Sequence, residues 1–214
     1  MTVMDNPEGF FTDSGFVSRE TWGKLRIYAA LVRKWQASIN LISPKTVPDL
    51  WERHILDSLQ LFRLKPDAVI WLDMGSGAGF PGLVTAICLS EKGEGWVNLV
   101  ESNNKKAAFL RQVILETGAR AGVHPVRIED VRAKAGKIDA ISARALASLT
   151  ELLNYAAPYA EDNPSLQMWF HKGLDYLGEV RSARDLWCFD LVEHHSLAQD
   201  GSALLEISNL SKRN

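Results

Sequence analysis

The sequence predicts an α/β fold with a mostly parallel, seven-stranded, doubly wound sheet, an amino-terminal helical extension and a carboxyl-terminal antiparallel hairpin. Three observations predict this class. Strand and helix patterns alternate regularly from residue 68 to residue 186, which is the order that builds a parallel sheet covered by helices. A glycine-rich stretch joins the first of these strands to its helix, at residues 75–82. Two extended segments around a short polar turn, at residues 188–210, predict the hairpin.

The amino-terminal segment has the pattern of two amphipathic helices. Residues 17–41 carry apolar side chains at helical spacing, with Arg and Lys on the opposite face. The apolar positions are Leu25, Tyr28, Leu31, Val32, Trp35 and Ile39. Residues 49–62 predict a second helix, which a Lys-Pro pair closes. We therefore expect residues 1–62 to form a helical extension packed on a core of residues 63–214.

The core elements follow in chain order, and each has the period and length of its type. Short apolar runs predict parallel strands at 68–75, 95–102, 122–131, 138–145 and 165–173. The segments between them predict helices at 81–91, 103–118, 148–160 and 178–186. A polar turn at 198–202 separates the predicted hairpin strands at 188–197 and 203–210.

The composition is that of an ordinary globular protein. The chain has 214 residues, of which 46% are hydrophobic and 23% are charged, enough for one α/β domain with a modest extension. No apolar run approaches the roughly 20 residues that span a bilayer, and the acidic amino terminus lacks the order of a signal peptide. Cys88 and Cys188 lie in apolar surroundings, so we expect two buried free thiols and a cytoplasmic protein.

Basic residues are concentrated in two parts of a chain whose net charge is −2. Residues 17–54 carry a net charge of +4 and residues 103–147 one of +5, whereas residues 161–214 carry −4. The basic stretches are either solvated helix faces or a local footprint for phosphate groups. The candidates for phosphate contact are Arg26, Arg33, Lys34, Lys105, Lys106, Arg111, Arg132, Lys134 and Lys137.

The stretch WLDMGSGAGFPG, residues 71–82, has four glycines between a predicted strand and a predicted helix. In such a turn, backbone N–H groups and a helix amino terminus point at a ligand, which can approach the glycines closely. A G-x-G-x-x-G spacing alone is a weak dinucleotide signal. The longer pattern of Asp73 followed by Gly75, Gly77 and Gly79 resembles the cofactor loop of class I methyltransferases, which bind S-adenosylmethionine.

Glu101 ends the second predicted strand, where a carboxylate can accept hydrogen bonds from both ribose hydroxyls of an adenosine cofactor. NAD and S-adenosylmethionine both present that ribose, so Glu101 does not distinguish between the two cofactors. The predicted hairpin at 188–210 distinguishes between the two enzyme classes, because the class I methyltransferase fold adds a final antiparallel strand to the doubly wound sheet. The sequence therefore favours a methyltransferase over an NAD-binding oxidoreductase.

Four motifs occur in order along the chain: RHILDSLQL at 53–61, DMGSGAGFPG at 73–82, SARALASL at 142–149 and HKG at 171–173. Together they resemble the bacterial small-subunit ribosomal RNA guanine-N7 methyltransferase family, also called glucose-inhibited division protein B. The resemblance extends from about Asn40 to the carboxyl terminus. It implies methyl transfer from S-adenosylmethionine to N7 of a guanine in 16S rRNA near the decoding centre, with RNA, the small subunit or an assembly intermediate as partner.

The resemblance also implies which residues contact the cofactor. They are Gly75 and Phe80 in the loop, Ile128 and Glu129 after the third strand, and Arg144 after the fourth. The first forty residues match no motif of the family, so their role stays open. Two other functions remain as alternatives. The first is a small-molecule or protein methyltransferase that uses S-adenosylmethionine, with the same loop but no affinity for RNA. The second is an NAD-binding oxidoreductase.

The chemistry of three positions fits the implied roles, and each has a plainer alternative. Ile128 can contact one face of an adenine while Glu129 supplies polar atoms at its edge, although a simple strand-end pair has the same pattern. A buried Arg144 at the carboxyl edge of the sheet needs a carboxylate, phosphate or aromatic partner, which a structural salt bridge would also provide. Lys172 at the same edge is assigned to a phosphate or guanine O6, and forms the predicted catalytic pair with Arg144.

Guanine N7 has an in-plane lone pair and no proton, so its methylation needs alignment of donor and acceptor rather than a general base. His54 and Asp57 are three residues apart and predict a hydrogen-bonded pair that caps or packs a helix. The sequence has no cluster with metal-ligand spacing, so we expect no metal, no membrane partner and a monomer. Because the major groove of A-form RNA is closed to side chains, the target guanine must be unpaired or extruded.

Overall fold

The computed structural model describes residues 17–65, 67 and 69–213, and within them seven strands form a single sheet. The strands are β1 Ile70–Met74, β2 Trp96–Val100, β3 Ala121–His124, β4 Ala140–Arg144, β5 Gln167–Lys172, β6 Trp187–His195 and β7 Ala203–Lys212. They lie in the order β3-β2-β1-β4-β5-β7-β6. The first five are parallel, and β7 pairs antiparallel with both β5 and β6. The predicted sheet with its closing hairpin is confirmed.

Six of the described helices lie within or close to the predicted segments, with shifts at their ends, whereas the short helix at Arg132–Ala135 was not predicted. The helices are α1 Arg19–Gln36, α2 Asp57–Leu64, α3 Gly82–Lys92, α4 Asn104–Thr117, α5 Arg132–Ala135, α6 Leu149–Asp162 and α7 Tyr176–Arg184. A π-helical segment, Trp51–Leu56, continues directly into α2, and 3-10 turns occur at Pro44–Thr46 and Ile128–Asp130. Within the described ranges, no helix combines the length and the apolar character that crossing a membrane requires.

The sheet separates two apolar cores, because successive side chains of a strand point to opposite faces. Trp71 of β1 packs into the core that contains buried residues of α1, α2, α3 and α4. Its neighbour Leu72 packs into the other core, with buried residues of α6 and α7. Parallel strands covered on both faces are apolar along their whole length, which explains the nearly continuous apolar runs of β1 and β2.

Helix α1 packs against α3 and α4. Ser18 caps this helix by accepting a hydrogen bond from the Thr21 amide at 3.1 Å. After α1 ends, the side chain of Gln36 accepts hydrogen bonds from the amides of Leu41 and Ile42, at 3.0 and 3.1 Å. These bonds fix the start of the segment that leads from α1 to the π-helical turn.

Two local predictions are wrong. β3 ends at His124 instead of continuing to residue 131, because Pro125 has no N–H to donate to the strand ladder. Cys188 is exposed, because side chains alternate along β6 and this residue lies between the buried Trp187 and Phe189. Cys88 is a buried free thiol, as predicted.

Candidate active site

A cavity of about 810 Å³ lies at the carboxyl edge of the sheet, where the loops after β1, β2 and β4 meet. Seven of the nine predicted cofactor residues line it: Gly75, Gly77, Phe80, Glu101, Ile128, Glu129 and Arg144. The other two, Asp73 and Gly79, do not contribute to its walls. Residues 40–44 and Thr46, between α1 and the π-helical segment, complete the cavity together with Arg53 and His54.

The glycine-rich loop after β1 follows left-handed backbone conformations that favour glycine. The φ angle is +63° at Gly75, +56° at Gly77 and +95° at Gly79. A Cβ at Gly75 would come within 2.5 Å of the Leu146 side chain. A Cβ at Gly77 would meet nothing closer than the Gly75 carbonyl oxygen, at 3.7 Å. Gly77 therefore exposes bare backbone to the cavity.

Glu101 joins this loop to the end of β2. Its Oε2 accepts a hydrogen bond from the Gly77 amide at 2.9 Å, and its Oε1 accepts one from the Asn103 amide at 2.7 Å. The residue is 9% exposed and lines the cavity. Each carboxylate oxygen keeps a further lone pair, so the fixed carboxylate can also accept hydrogen bonds from a ligand.

Asp73 lies beneath the loop, so its predicted role as a direct cofactor contact does not fit the structure. Its Oδ1 accepts a hydrogen bond from the Ser142 hydroxyl at 2.6 Å, which joins β1 to β4. Its Oδ2 lies against Gly82, where a Cβ would come within 2.5 Å of it. Burial raises the pKa of Asp73 to about 6, although the hydrogen bond from Ser142 opposes the shift. Asp73 shapes the loop and the start of α3 from below.

Gly79 also faces the interior. A Cβ there would overlap Leu83 and come within 2.9 Å of the Tyr28 hydroxyl oxygen, so the direct cofactor contact that the loop pattern implied for Gly79 does not fit the structure. The Tyr28 hydroxyl donates a hydrogen bond to the Ala78 carbonyl at 2.6 Å. Burial, with the nearby Asp73 carboxyl, raises the pKa of Tyr28 well above its usual value, so the hydroxyl remains a donor. Helix α1 thus supports the loop directly.

Arg144 ends β4 and reaches toward the π-helical segment. Its Nη1 lies 3.2 Å from Oδ2 of Asp57, and its Nη2 donates a hydrogen bond to the carbonyl of Arg53. Desolvation lowers the pKa of Arg144, and the attraction of Asp57 opposes that shift. The structure therefore contains the salt bridge that was the plainer explanation of a buried Arg144. The guanidinium still lines the cavity.

Lys172, the other predicted catalytic residue, is buried and already paired. Its Nζ lies 2.6 Å from Glu179 Oε2 and donates a hydrogen bond to the Ala147 carbonyl at 2.8 Å. The same Glu179 oxygen accepts a hydrogen bond from the Leu149 amide at 2.6 Å. The proposed direct contact of Lys172 with RNA does not fit this geometry. The ammonium instead holds the β4–α6 loop and the start of α6 in place.

The predicted hydrogen bond between His54 and Asp57 is wrong. His54 Nε2 lies 2.9 Å from the Thr46 hydroxyl, and its ring centroid lies 5.0 Å from that of Phe80. Desolvation, followed by the nearby Arg144 cation, lowers the pKa of His54 to about 3. Asp57 instead accepts a hydrogen bond from the Ser196 hydroxyl at 2.8 Å and pairs with Arg144.

A protein-family model described as rRNA small subunit methyltransferase G matches residues 22–205 of the chain. The ribosomal RNA small subunit methyltransferase G of Sinorhizobium fredii is 56% identical over 198 residues, which cover 92% of each chain. The protein of the same name from Rhizobium meliloti is 57% identical over 199 residues, which cover 92% of this chain and 93% of the relative.

The chain belongs to the rRNA small subunit methyltransferase G family. It is accordingly a methyltransferase of small-subunit ribosomal RNA. The order of the four motifs predicted this family, and that prediction is confirmed.

Solved structures share the class I methyltransferase fold with this member of the methyltransferase G family. A putative O-methyltransferase from Klebsiella pneumoniae superposes with a TM-score of 0.59 at 12% identity, over 95% of this chain and 96% of that one. A mutant of MtNAS in complex with S-adenosylmethionine gives a TM-score of 0.55 at 15% identity, over 94% of this chain and 76% of that one. At these identities the likeness concerns the fold alone.

Most of the basic candidates lie on exposed surfaces. Lys106 alone of the nine lines the cavity. Arg132 pairs with Asp162 at 2.8 Å, on the surface. The remaining seven are exposed on α1, on α4 and in or just after α5. Among the described residues, no three His, Cys, Asp or Glu side chains converge as metal ligands would, and His194 pairs with Glu206 at 2.9 Å.

The sequence argument missed several residues that line the cavity. Residues 40–44 and Arg53 line it, and so does Tyr155 of α6. Arg53 opens the RHILDSLQL motif, so the resemblance contained the signal, although it did not assign a role. Residues 40–44 have no chemical signature, and the Gln36 hydrogen bonds to Leu41 and Ile42 help to place them at the cavity.

Proposed function

We propose that this methyltransferase transfers the methyl group of S-adenosylmethionine to N7 of a guanine in 16S rRNA. The observation that carries the proposal is the hydrogen bond between Glu101 and the Gly77 amide, on the wall of the large cavity. At the carboxyl edge of the sheet, it brings together a carboxylate that can bind the ribose of an adenosine and a stretch of glycine backbone without side chains. Membership of the methyltransferase G family supplies the RNA substrate.

The lining residues fit a cofactor with an adenosine at one end and an amino acid at the other. Glu101 offers two fixed carboxylate oxygens to ribose hydroxyls, and Ile128 offers an apolar surface to adenine. Gly77 leaves room for close approach of the amino-acid end, and Arg144 provides a cation for its carboxylate on the β4 side. When bound, S-adenosylmethionine supplies an activated methyl group on its sulfonium.

Methylation of N7 asks these residues for alignment rather than proton transfer, because the N7 lone pair attacks without losing a proton. His54 lines the cavity and stays neutral near pH 7, since its pKa is lowered to about 3. A neutral imidazole adds no positive charge beside a guanine that becomes positive as the methyl group arrives. His54 thus does not oppose the positive charge that moves from sulfur to base.

The substrate guanine has to be unpaired, because N7 faces the closed major groove of A-form RNA. Leu146 and Ser43 line the cavity and are exposed, so they mark where it meets solvent. A base that is splayed out of its stack can enter between them. Lys106, on the β2 side of the same cavity, provides a cation for the RNA backbone.

We further infer that residues 1–62 serve as an extension that braces a methyltransferase core of residues 63–214. The hydrogen bond from Tyr28 to the Ala78 carbonyl supports this division, because it links α1 to the cofactor loop. The part of the extension at residues 1–16 lies outside the described residues.

The test maps 7-methylguanine in 16S rRNA after reaction with the purified protein and S-adenosylmethionine. Borohydride reduction followed by aniline cleaves the strand at 7-methylguanine, and primer extension locates the break. We expect one enzyme-dependent break, tested on naked RNA, on small subunits and on assembly intermediates. Methyl incorporation without cleavage would place the methyl group on another atom and contradict the proposal. A thermal shift with NADH but none with S-adenosylhomocysteine would contradict the cofactor.

A further inference from the structure

A second cavity, of about 190 Å³, adjoins the first at the carboxyl edge of the sheet. It lies between the ends of β4 and β5 and the turn of the β6–β7 hairpin. Arg53, Arg144 and Ala145 line both cavities, so the two share a wall. A group bound in the second cavity would therefore lie next to whatever the first one holds.

The cations at this second cavity differ in whether their charge is neutralised. Arg144 pairs with Asp57, and Lys172 pairs with Glu179, at 3.2 and 2.6 Å. Arg53 is half-buried and donates a hydrogen bond to the neutral Gln199 side chain, but it forms no ion pair with any of the residues described. Within that part of the chain, the shared wall therefore carries one positive charge without a counter-charge.

The second cavity also contains neutral polar groups beside Arg53. The Ser202 hydroxyl and the Gln199 side-chain amide line it and can donate to a ligand, whereas the Ser196 hydroxyl donates to the Asp57 carboxylate, which lines the cavity too and is paired with Arg144. His171 is buried on the same wall, but its Nε2 donates to the Asp57 carbonyl at 3.0 Å, so the Nδ1 of the neutral ring is an acceptor and does not serve an anion. A partly desolvated guanidinium beside neutral donors such as Ser202 and Gln199 can bind phosphate oxygens.

We propose that the second cavity binds a phosphodiester of the substrate RNA next to the methylated guanosine, with Arg53 as its principal contact. This inference rests on the proposed function, since it takes the substrate to be RNA whose target base enters the first cavity. A phosphate held on the shared wall positions the extruded nucleotide relative to the cofactor. It also replaces the contact that the sequence had assigned to Lys172, whose ammonium is paired elsewhere.

The experiment measures methyl transfer to small subunits or 16S rRNA as a function of RNA and salt concentration for Arg53→Gln. Arg53→Lys keeps the charge but loses the bidentate geometry. Arg181→Gln makes the same charge change on the exposed surface of α7, outside both cavities. Calorimetry with S-adenosylhomocysteine reports the cofactor site separately. Circular dichroism and thermal melts verify that each variant is folded.

For Arg53→Gln we expect the RNA concentration at half-maximal rate to rise roughly 10- to 100-fold, as for one lost hydrogen bond to a charged group. The slope of its logarithm against log salt concentration should become shallower by about 1, since one phosphate contact is lost. Arg53→Lys should recover part of the affinity and the salt slope. Affinity of both variants for S-adenosylhomocysteine should stay within about 2-fold of the unmodified protein.

Normal RNA dependence and an unchanged salt slope in Arg53→Gln, while the unmodified protein methylates RNA, would overturn the phosphate site and leave the proposed function standing. An equal effect in Arg181→Gln would also overturn it, because the loss would then reflect net charge. Weaker binding of S-adenosylhomocysteine, with a normal dependence of the rate on RNA concentration, would place Arg53 in the cofactor site instead. If the unmodified protein methylates no small-subunit RNA, the proposed function and this inference fail together.

Discussion

Asp57 and Arg144 form a buried ion pair in which Oδ2 and Nη1 are 3.2 Å apart, and it joins the π-helical segment and α2 to the end of β4. Asp57 also accepts a hydrogen bond from Ser196, in the hairpin turn, at 2.8 Å. One carboxylate thus connects three parts of the chain that are distant in sequence. The geometry of the shared wall between the two cavities depends on it.

Asp57→Asn should destabilise the protein by about 3 kcal/mol, because it leaves the Arg144 guanidinium buried without a counter-charge. Urea unfolding at pH 7 measures the change. Removing both charges, in Asp57→Asn with Arg144→Met, should cost less than the two single changes together. Additive losses in this double-mutant cycle would mean that the ion pair contributes nothing specific.

Glu101→Ala should weaken the binding of S-adenosylhomocysteine by roughly 1.5–3 kcal/mol, the scale for losing hydrogen bonds to a charged group. The loss has two sources, since Glu101 both faces the cavity and fixes the Gly77 amide. Isothermal titration calorimetry measures it. Glu94→Ala, at an exposed position before β2, serves as the control and should bind normally. An unchanged dissociation constant for Glu101→Ala would make this acid purely structural.

Gly77→Asp should abolish cofactor binding, whereas Gly118→Asp should not. Both glycines have positive φ, +56° and +65°, so both substitutions carry a similar backbone cost of roughly 1–2 kcal/mol. Only Gly77 faces the cavity, since Gly118 ends α4 on the exposed surface. Calorimetry on the two folded variants distinguishes the effect of backbone strain from that of a side chain that fills the cofactor cavity. Equal affinities would remove Gly77 from the cofactor site.

Tyr28→Phe should lower both stability and cofactor affinity, although Tyr28 lines neither cavity. The change removes only the hydroxyl, which leaves the Ala78 carbonyl without its 2.6 Å donor and costs about 1–3 kcal/mol. Tyr176→Phe removes an exposed hydroxyl that donates to Glu193 and should have little effect on either quantity. A Tyr28→Phe variant that loses stability but binds S-adenosylhomocysteine normally would show that α1 does not position the loop.

Acidification should destabilise the protein through His54. The unfolded chain binds a proton at this residue below about pH 6.5, whereas the folded chain resists protonation until about pH 3, so stability falls as the pH drops through that window. Between pH 7 and pH 5, His54→Gln should lose about 2 kcal/mol less than the unmodified protein. His195→Gln, at an exposed position, is the matched control.

Asp73, whose pKa is raised to about 6, changes the free energy of unfolding with pH in the opposite direction to His54. This contribution is present in each of these variants, so it cancels in the comparison. The folded form of Asp73 holds a proton that the unfolded chain releases near pH 3.8, so this residue favours the fold below that pH and loses the advantage as the pH rises through 6. Parallel pH profiles for His54→Gln and the unmodified protein would contradict a buried, neutral His54.

Local sequence was sufficient for the sheet, for most helix bounds and for the residues that follow strand ends. Gly77 and Glu101 come from strand–turn signals, and carboxyl ends of parallel strands meet at one edge whatever the packing details. Local sequence was insufficient where a side chain could pair with more than one partner. Lys172 ends β5 at the predicted edge, yet its ammonium pairs with Glu179 of α7.

The chain order of strands and helices, the glycine loop and the family are determined by the sequence itself, because each depends on the spacing of neighbouring residues. Tertiary structure alone decides that Asp73 and Gly79 lie under the loop, that Tyr28 supports it, and that Arg53 meets a neutral amide rather than a carboxylate. These are contacts between residues far apart along the chain. Which buried charge finds a partner depends on how whole elements pack, and no local pattern contains that information.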